Sequence, residues 1–516
     1  MSDDEEKSQG ALLGTVAGGA IWSFGGRIAK LALLFIVEII MARFLGLSSY
    51  GGITLAIVAI NLGRTFGSLG LSRGISRKIP YYEKEVEKAR GAVWSALVGA
   101  FAGGTVVGVG LFLAAPFVAT EIVNDPETVW LFRISGLTIP FFVLVGIGIS
   151  TAKAFNDATT HVTVRQLFIP ISRAVIVPGV IALGFGAVYA TAGIAATMIL
   201  GGILALVLGF RHIPFELRGP REPMLQEMLT FSVPLMLASG MQFLITNTDT
   251  ILVGAFLATT SVGVYNAALK IMNLGWLFFY PITTLLGPVL TRLDRDDRRK
   301  EAKRTYQVSV KWMALLTIPM FLLLLLFPGV VIGVTFGQDA TAGAKALQIL
   351  ILPVMFSVLL GPNDGALVSF GHNKIHMYSN AATALTNLGL NLYLIPRYGL
   401  IGAATSTALS LGMRNVIYSA RLYQTHGVHP FSRALLRVLG AITPIVVVGY
   451  IVFVTLFPVR FLTVTAVGLI FLAIYTFVIV QVGGIEQEDI NVVTRFEESK
   501  GLDLDMLRLV VKRLQA

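Results

Sequence analysis

Fourteen apolar segments run along this chain, each close to the 17 to 25 residues that a helix needs to cross a ~30 Å hydrocarbon core. They lie at 16–44, 51–71, 91–118, 129–152, 166–186, 190–210, 228–257, 263–290, 305–328, 343–370, 377–396, 400–420, 436–457 and 461–482. A bilayer core offers no water to a backbone amide, so such segments must be helices. The expected fold is an all-α polytopic membrane protein of about fourteen transmembrane helices. Composition points the same way, because 55% of the 516 residues are hydrophobic and only 13% are charged, against about 25% charged in a soluble domain. A disordered chain, a nucleic-acid module and a secreted disulfide scaffold are excluded together. The lack of cysteine also excludes thiolate metal sites and Cys nucleophiles.

The net charge of +11 is unevenly spread. With alternating sides and the acidic Met1 to Glu6 start in the cytoplasm, inner segments carry 28 Lys and Arg, and outer loops carry three: Arg43, Arg397 and Arg460. One span missed or invented would destroy that asymmetry, so it fixes the expected count and orientation together. Both termini are expected in the cytoplasm, in a multi-pass protein of the plasma membrane.

Residues 44–66 align without a gap on 256–278 and match at Phe44, Leu45, Ser49, Gly51, Ala56, Asn61, Leu62, Gly63 and Phe66. Six spans separate the copies, so both enter the membrane from the same side. This implies two pseudo-symmetric six-helix lobes about an axis along the membrane normal, with a site between them. The expected organisation is a tail (1–15), an N-lobe (16–210), a linker (211–227), a C-lobe (228–420), two further spans (436–482) and an amphipathic tail (483–516).

Charges within the spans are the candidate chemistry. Arg133, Lys345, Lys311 and Arg414 lie near span ends, where long side chains snorkel to the headgroups. Arg27, Lys30 and Lys270 lie deeper, where a charge costs at least ~2.5 to 3.5 kcal/mol. Ser23, Arg27, Lys30 and Glu38 share one face of span 1. That face either contacts an anionic ligand or holds a buried ion pair in which Glu38 neutralises one base. Arg64 is a further candidate, and Arg173 either binds ligand or pairs with a carboxylate on another helix.

Shifted by the repeat offset, Arg27 and Lys30 fall on Ser239 and Gln242, the start of a second face with Thr246 and Asp249. Span 11 carries Asn380, Thr383, Asn387 and Asn391 at helical spacing. A carboxylate facing amide and hydroxyl oxygens suits Na⁺ or a titrating proton, whereas Asn and Thr alone could simply bond helix to helix. Asp249 is therefore the expected metal ligand of a cation-coupling set that also includes Thr383, Asn387 and Glu38. No other cofactor is expected.

Enzymatic chemistry finds little support. All six histidines fall in expected cytoplasmic loops, without a ligand set or a glycine fingerprint beside them. There is no G-x-x-x-x-G-K-[ST] phosphate loop, so transport would draw on an ion gradient or on consumption of product.

Span 1 ends in Ala42-Arg43-Phe44-Leu45-Gly46, followed by Ser49-Tyr50-Gly51. Together with Arg27 and with Tyr398-Gly399-Leu400-Ile401-Gly402-Ala403-Ala404 after Pro396, this resembles the polysaccharide biosynthesis proteins over residues 10–482. These are Wzx-like flippases of lipid-linked oligosaccharides, in the superfamily that includes MurJ and the MATE exporters. The resemblance implies alternating access around a cationic cavity that holds a polyprenyl- or dolichyl-linked (pyro)phosphate. It assigns cavity cations to Arg27 or Lys30, Arg64 and Lys270, with Lys at the last position where Arg is usual. A cation site between spans 7 and 11 would map onto Asp249, Thr383 and Asn387. The implied partners are an anionic lipid-linked glycan, membrane lipids and glycan-assembly proteins, with no nucleic acid. A cation-coupled drug exporter and a membrane-embedded glycan-transfer enzyme are the alternatives.

Overall fold

The computed structural model describes residues 28–482 except 83, 84, 212, 214–217 and 278. Arg27, both terminal tails and the first part of span 1 lie outside the described residues, as do five positions of the 211–227 linker. The described residues contain helices and no strand.

Helix α1 covers 28–45, followed by α2 (Leu47–Gly67), α3 (Leu71–Lys78), α4 (Val86–Phe117), α5 (Val129–Ala154), α6 (Thr159–Ala182) and α7 (Ala187–Arg211). The second half contains α8 (Leu225–Phe256), α9 (Thr259–Leu274), α10 (Phe279–Arg295), α11 (Arg299–Leu326), α12 (Pro328–Phe336), α13 (Ala344–Leu360), α14 (Asn363–Ser369) and α15 (Asn373–His426). The last two are α16 (Arg433–Leu456) and α17 (Phe461–Gln481).

Among the described residues, nine helices are long and apolar enough to cross a membrane, or eleven if the bent pairs α2–α3 (47°) and α9–α10 (48°) each count as one. The protein is a multi-pass membrane protein. Expected spans 1, 11 and 12 correspond to α1, which starts at the edge of the described residues, and to the two arms of α15. Polar residues such as Asn380, Asn387 and Asn391 dilute the hydropathy of α15, so the tally stops below fourteen.

Local chemistry sets the breaks. Leu69 and Gly70 take positive φ between α2 and α3, and Gly399 (φ 55°, ψ −131°) divides α15 into arms 373–398 and 400–426. Expected span 5 began at 166, yet α6 begins at Thr159, because the Asp157 carboxylate accepts from the Thr159 amide at 2.8 Å and caps it there. Bonds from the Thr159 and Thr160 hydroxyls hold the Asp157 carboxyl well below its usual range.

Helices α4, α5 and α7 pack in series with α2 on α4 and α5, and α11, α13 and α15 form a second series that α8 joins through α15. The groups meet along α2 and α3 against α8 and α9. At the expected outer end, a Cβ on Gly51 would stand 1.9 Å from the Thr259 carbonyl oxygen, so only glycine permits this crossing of α2 and α9. Ser48 and Thr259 share a hydrogen bond (2.9 Å) and the Thr259 hydroxyl donates to Asp125 (2.7 Å). Arg43 donates to the Thr335 (2.7 Å), Gly333 (3.4 Å) and Val334 carbonyls at the C-terminus of α12, where the helix dipole favours a cation. At the opposite end, Lys78 pairs with Glu227 (2.6 Å), which also accepts from Tyr82, and Arg90 donates to the Pro220 carbonyl (2.5 Å).

Helix α17 docks on α11 through the Tyr475 hydroxyl, which donates to the Leu315 carbonyl at 2.8 Å. Lys311, expected to snorkel, is instead fully buried, with its ammonium 5.9 Å from the Trp312 ring centroid.

Candidate functional site

Three polar groups lie between or beside the two halves. The first is built on Glu38 of α1, which is 5% exposed. Its Oε1 accepts from Lys270 Nζ of α9 at 2.9 Å and from Arg173 Nη2 of α6 at 3.3 Å. Glu38 thus neutralises bases on two other helices, and neither of these bonds leads to the Asp249 carboxylate. Arg173 meets the carboxylate allowed for it. Fully buried Tyr50 lies beside the same carboxylate.

The second group surrounds Asp249 of α8, which is 8% exposed. Its carboxylate accepts from Asn391 Nδ2 (2.6 Å), from the Tyr265 hydroxyl (3.2 Å) and from the Thr407 hydroxyl. Asn391 Nδ2 also donates to Asn387 Oδ1 (3.0 Å), and Asn387 Nδ2 reaches Thr407 Oγ1 (3.5 Å). The Thr383 hydroxyl donates instead to the Ser379 carbonyl of its own helix (2.7 Å), one turn away from this set. Asp249 has no bond to Lys270, whose partner is Glu38. One carboxylate among neutral oxygens, with Asn391 Oδ1 buried and unpartnered among the described residues, fits a hard monovalent cation or a proton. No group of three or more His, Cys, Asp or Glu able to hold a metal ion occurs among the described residues.

The third group gathers the cations Arg64 and Arg165. Arg64, in the last turn of α2, rests its guanidinium 5.2 Å from the Phe142 ring centroid, and its buried Nε has no hydrogen-bond partner among the described residues. No carboxylate pairs with it among the described residues. Arg165 lies within electrostatic range of Arg64 and of His161, which also feels Lys30 and Lys153. Arg165 sits in a π-helical stretch, Val162–Phe168, a departure from α geometry that often marks functional positions.

Sequence reasoning therefore missed Arg165, Thr407 and Tyr265. Hydropathy leaves Arg165 in the loop before span 5, although Asp157 marks an earlier helix start. No local pattern pointed to Tyr265 or Thr407, because both reach Asp249 across tertiary contacts.

The pattern of a family described as polysaccharide biosynthesis protein matches residues 40–342, more than half of the chain. Among curated proteins, the chain is similar to the "Probable low-salt glycan biosynthesis flippase Agl15" of Haloferax volcanii, with 24% identity over 226 residues. That alignment covers 43% of this chain and 47% of Agl15, so the chain spans about half the length of this relative. Among solved structures, the lipid II flippase MurJ in an inward closed conformation superposes with a TM-score of 0.70 at 17% identity, covering 88% of this chain and 97% of MurJ. An inward-facing multidrug resistance MATE family transporter of the MOP superfamily gives 0.60 at 14% identity, covering 77% and 94%. At these identities the two superpositions establish the fold alone.

Proposed function

The chain belongs to the polysaccharide biosynthesis protein family, and from that premise we propose that it is a flippase. It moves an anionic lipid-linked glycan, carried on a polyprenyl or dolichyl (pyro)phosphate, from the inner to the outer leaflet by alternating access. The carrying observation is the pair of cations Arg64 and Arg165, with no carboxylate paired to Arg64 among the described residues. Arg64 is half-buried with its Nε out of water and unpartnered among the described residues, while Arg165 is exposed; drawing a guanidinium from water without a counter-charge is costly, and a phosphate with several acceptor oxygens is the chemistry that relieves it. Drug exporters for cationic substrates would need the opposite sign there.

In this reading Arg27, Lys30, Arg64 and Arg165 receive the phosphate group, with Arg173 and Lys270 further along the path. Asp249, Asn387, Asn391 and Thr407 hold Na⁺ or H⁺, and Thr383 supports them from the next turn. The cation supplies charge that biases the two halves between their states. Fourteen spans, lobes at 16–210 and 228–420, cytoplasmic termini in the plasma membrane and contacts with lipids and glycan-assembly proteins complete the proposal.

The test is reconstitution of the purified chain in vesicles carrying a fluorescent polyprenyl diphosphate-linked sugar. The label should become accessible to a membrane-impermeant quencher on the far leaflet only where the protein is present. Recovery of a chemically altered glycan would favour an enzyme, efflux of a cationic dye would favour a drug exporter, and an unmoved glycan would overturn the flippase reading.

A further inference from the structure

Lys270 and Arg173 reach the same oxygen of Glu38, at 2.9 and 3.3 Å. Two cations sharing one carboxylate leave an excess of positive charge, centred on the largely buried Arg173, that a second anion would neutralise. Two further features point to where that anion enters. The Lys270 side chain is 36% exposed while that of Glu38 is 7% exposed, so Lys270 can be approached from the open side while the carboxylate holds it from the buried side. Arg173 keeps a buried Nε with no hydrogen-bond partner among the described residues, a donor to spare for an incoming oxyanion.

We propose that Glu38 is a built-in stand-in for the phosphate of the ligand. It bridges Arg173 from the first half of the chain to Lys270 from the second while the carrier is empty, and the phosphate or diphosphate headgroup of a lipid displaces it. This rests on the flippase reading above. A diphosphate carries more charge and more acceptor oxygens than one carboxylate, so it can take both cations from Glu38 and also use the spare Arg173 donor. Because the carboxylate is tethered, it competes at a high effective concentration. Competition of that kind weakens binding and speeds release, which a carrier needs after translocation. Lysine at 270 suits the same purpose, since an ammonium makes a point contact where arginine would grip bidentately. The empty carrier benefits as well, because without an anion between them Lys270 and Arg173 would repel across the joint.

Titration of the full-length purified protein with inorganic pyrophosphate and with farnesyl diphosphate tests the idea, with sulfate as a control anion. Glu38→Gln removes the competitor and should bind farnesyl diphosphate at least about tenfold more tightly than the parent, equivalent to about 1.4 kcal/mol. The gain should vanish in Glu38→Gln/Lys270→Ala. A gain confined to pyrophosphate would overturn the assignment to a lipid. Glu38→Gln also leaves two cations without their partner, so its Tm should fall and farnesyl diphosphate should restore it more than it raises the parent. Unchanged or weaker binding by folded Glu38→Gln would overturn the proposal. The flippase reading fails separately, when the parent moves no lipid-linked glycan in vesicles whatever the Glu38→Gln titration gives.

Discussion

Gly51 and Gly263 make the same contact twice: a Cβ on Gly51 would stand 1.9 Å from the Thr259 carbonyl oxygen, and one on Gly263 would stand 2.1 Å from the Leu47 carbonyl oxygen. Each pair of equivalent residues, 51 with 263 and 47 with 259, is separated by the 212-residue offset of the sequence repeat. The repeat is therefore realised as a pseudo-twofold crossing of α2 and α9. Gly51→Val must push backbone away from backbone, at a cost of about 1 to 3 kcal/mol typical of overpacking. The chain has no native cysteine, so a single Cys at fully buried Val262 reports on the seal. It should label several-fold faster in the Gly51→Val background, and an unchanged rate would mean that this crossing does not close the expected outer end.

Arg64 and Arg173 should respond differently to truncation. Arg64→Ala orphans no carboxylate among the described residues, so abundance in the membrane should stay near that of the parent while glycan export falls at least about tenfold, the loss of one charge-assisted bond to phosphate. Arg64→Lys should retain part of the export, because it keeps the charge and loses the planar fork. Arg173→Ala leaves Glu38 with Lys270 alone and should lower abundance as well. Export complementation beside a membrane immunoblot measures both quantities. Normal export by Arg64→Ala would remove this group from the anion path.

Orientation is checked at Gln338 and Asp296, both exposed. Cysteine at Gln338 should react with an impermeant maleimide in intact cells, and cysteine at Asp296 should react only after the membrane is opened. Asp125, which accepts from Thr259, is a poorer reporter because its replacement disturbs the seal. The reverse pattern of labelling would invert every assignment of side.

Helices were legible wherever one segment carried its own signal. Apolar length placed α4, α5, α7 and α8, and the repeat made residues 47 and 51 equivalent to 259 and 263 without revealing that they meet. The Asn387 and Asn391 stripe marked one wall of the Asp249 site, since helical spacing alone puts those residues on one face. The rest depended on which helices become neighbours. Glu38 could be placed on a polar face of α1, yet a single helix does not reveal whether Lys270, Arg173 or Asp249 will stand opposite. Thr407 reaches Asp249 only because α15 breaks at Gly399 and returns its second arm beside the first. Arg165 was hidden by a boundary error, as the π-helical turn extends α6 towards residues that hydropathy assigns to a loop.

Asp249 offers the sharpest separation of coupling from structure. Its carboxylate takes donors from Asn391, Tyr265 and Thr407, and bonds to a charged acceptor contribute about 1.5 to 3 kcal/mol each. Asp249→Asn turns one of those acceptors into a donor that faces other donors, so some loss of Tm is expected from structure alone. Coupling predicts something more. If a cation or proton at this carboxylate favours one arrangement of the two halves, the equilibrium between them must follow Na⁺ or pH in the parent. That equilibrium is read as the ratio of cysteine labelling at the two ends, and Asp249→Asn should make it insensitive to both. Thr407→Val keeps the charge and removes one donor, so it should move the midpoint of the response without abolishing it. A purely structural carboxylate predicts instead that both variants lose Tm while the labelling ratio of the parent is flat in Na⁺ and in pH. A flat parent would therefore remove the cation role from Asp249 and leave it as the clamp that joins α8 to the two arms of α15.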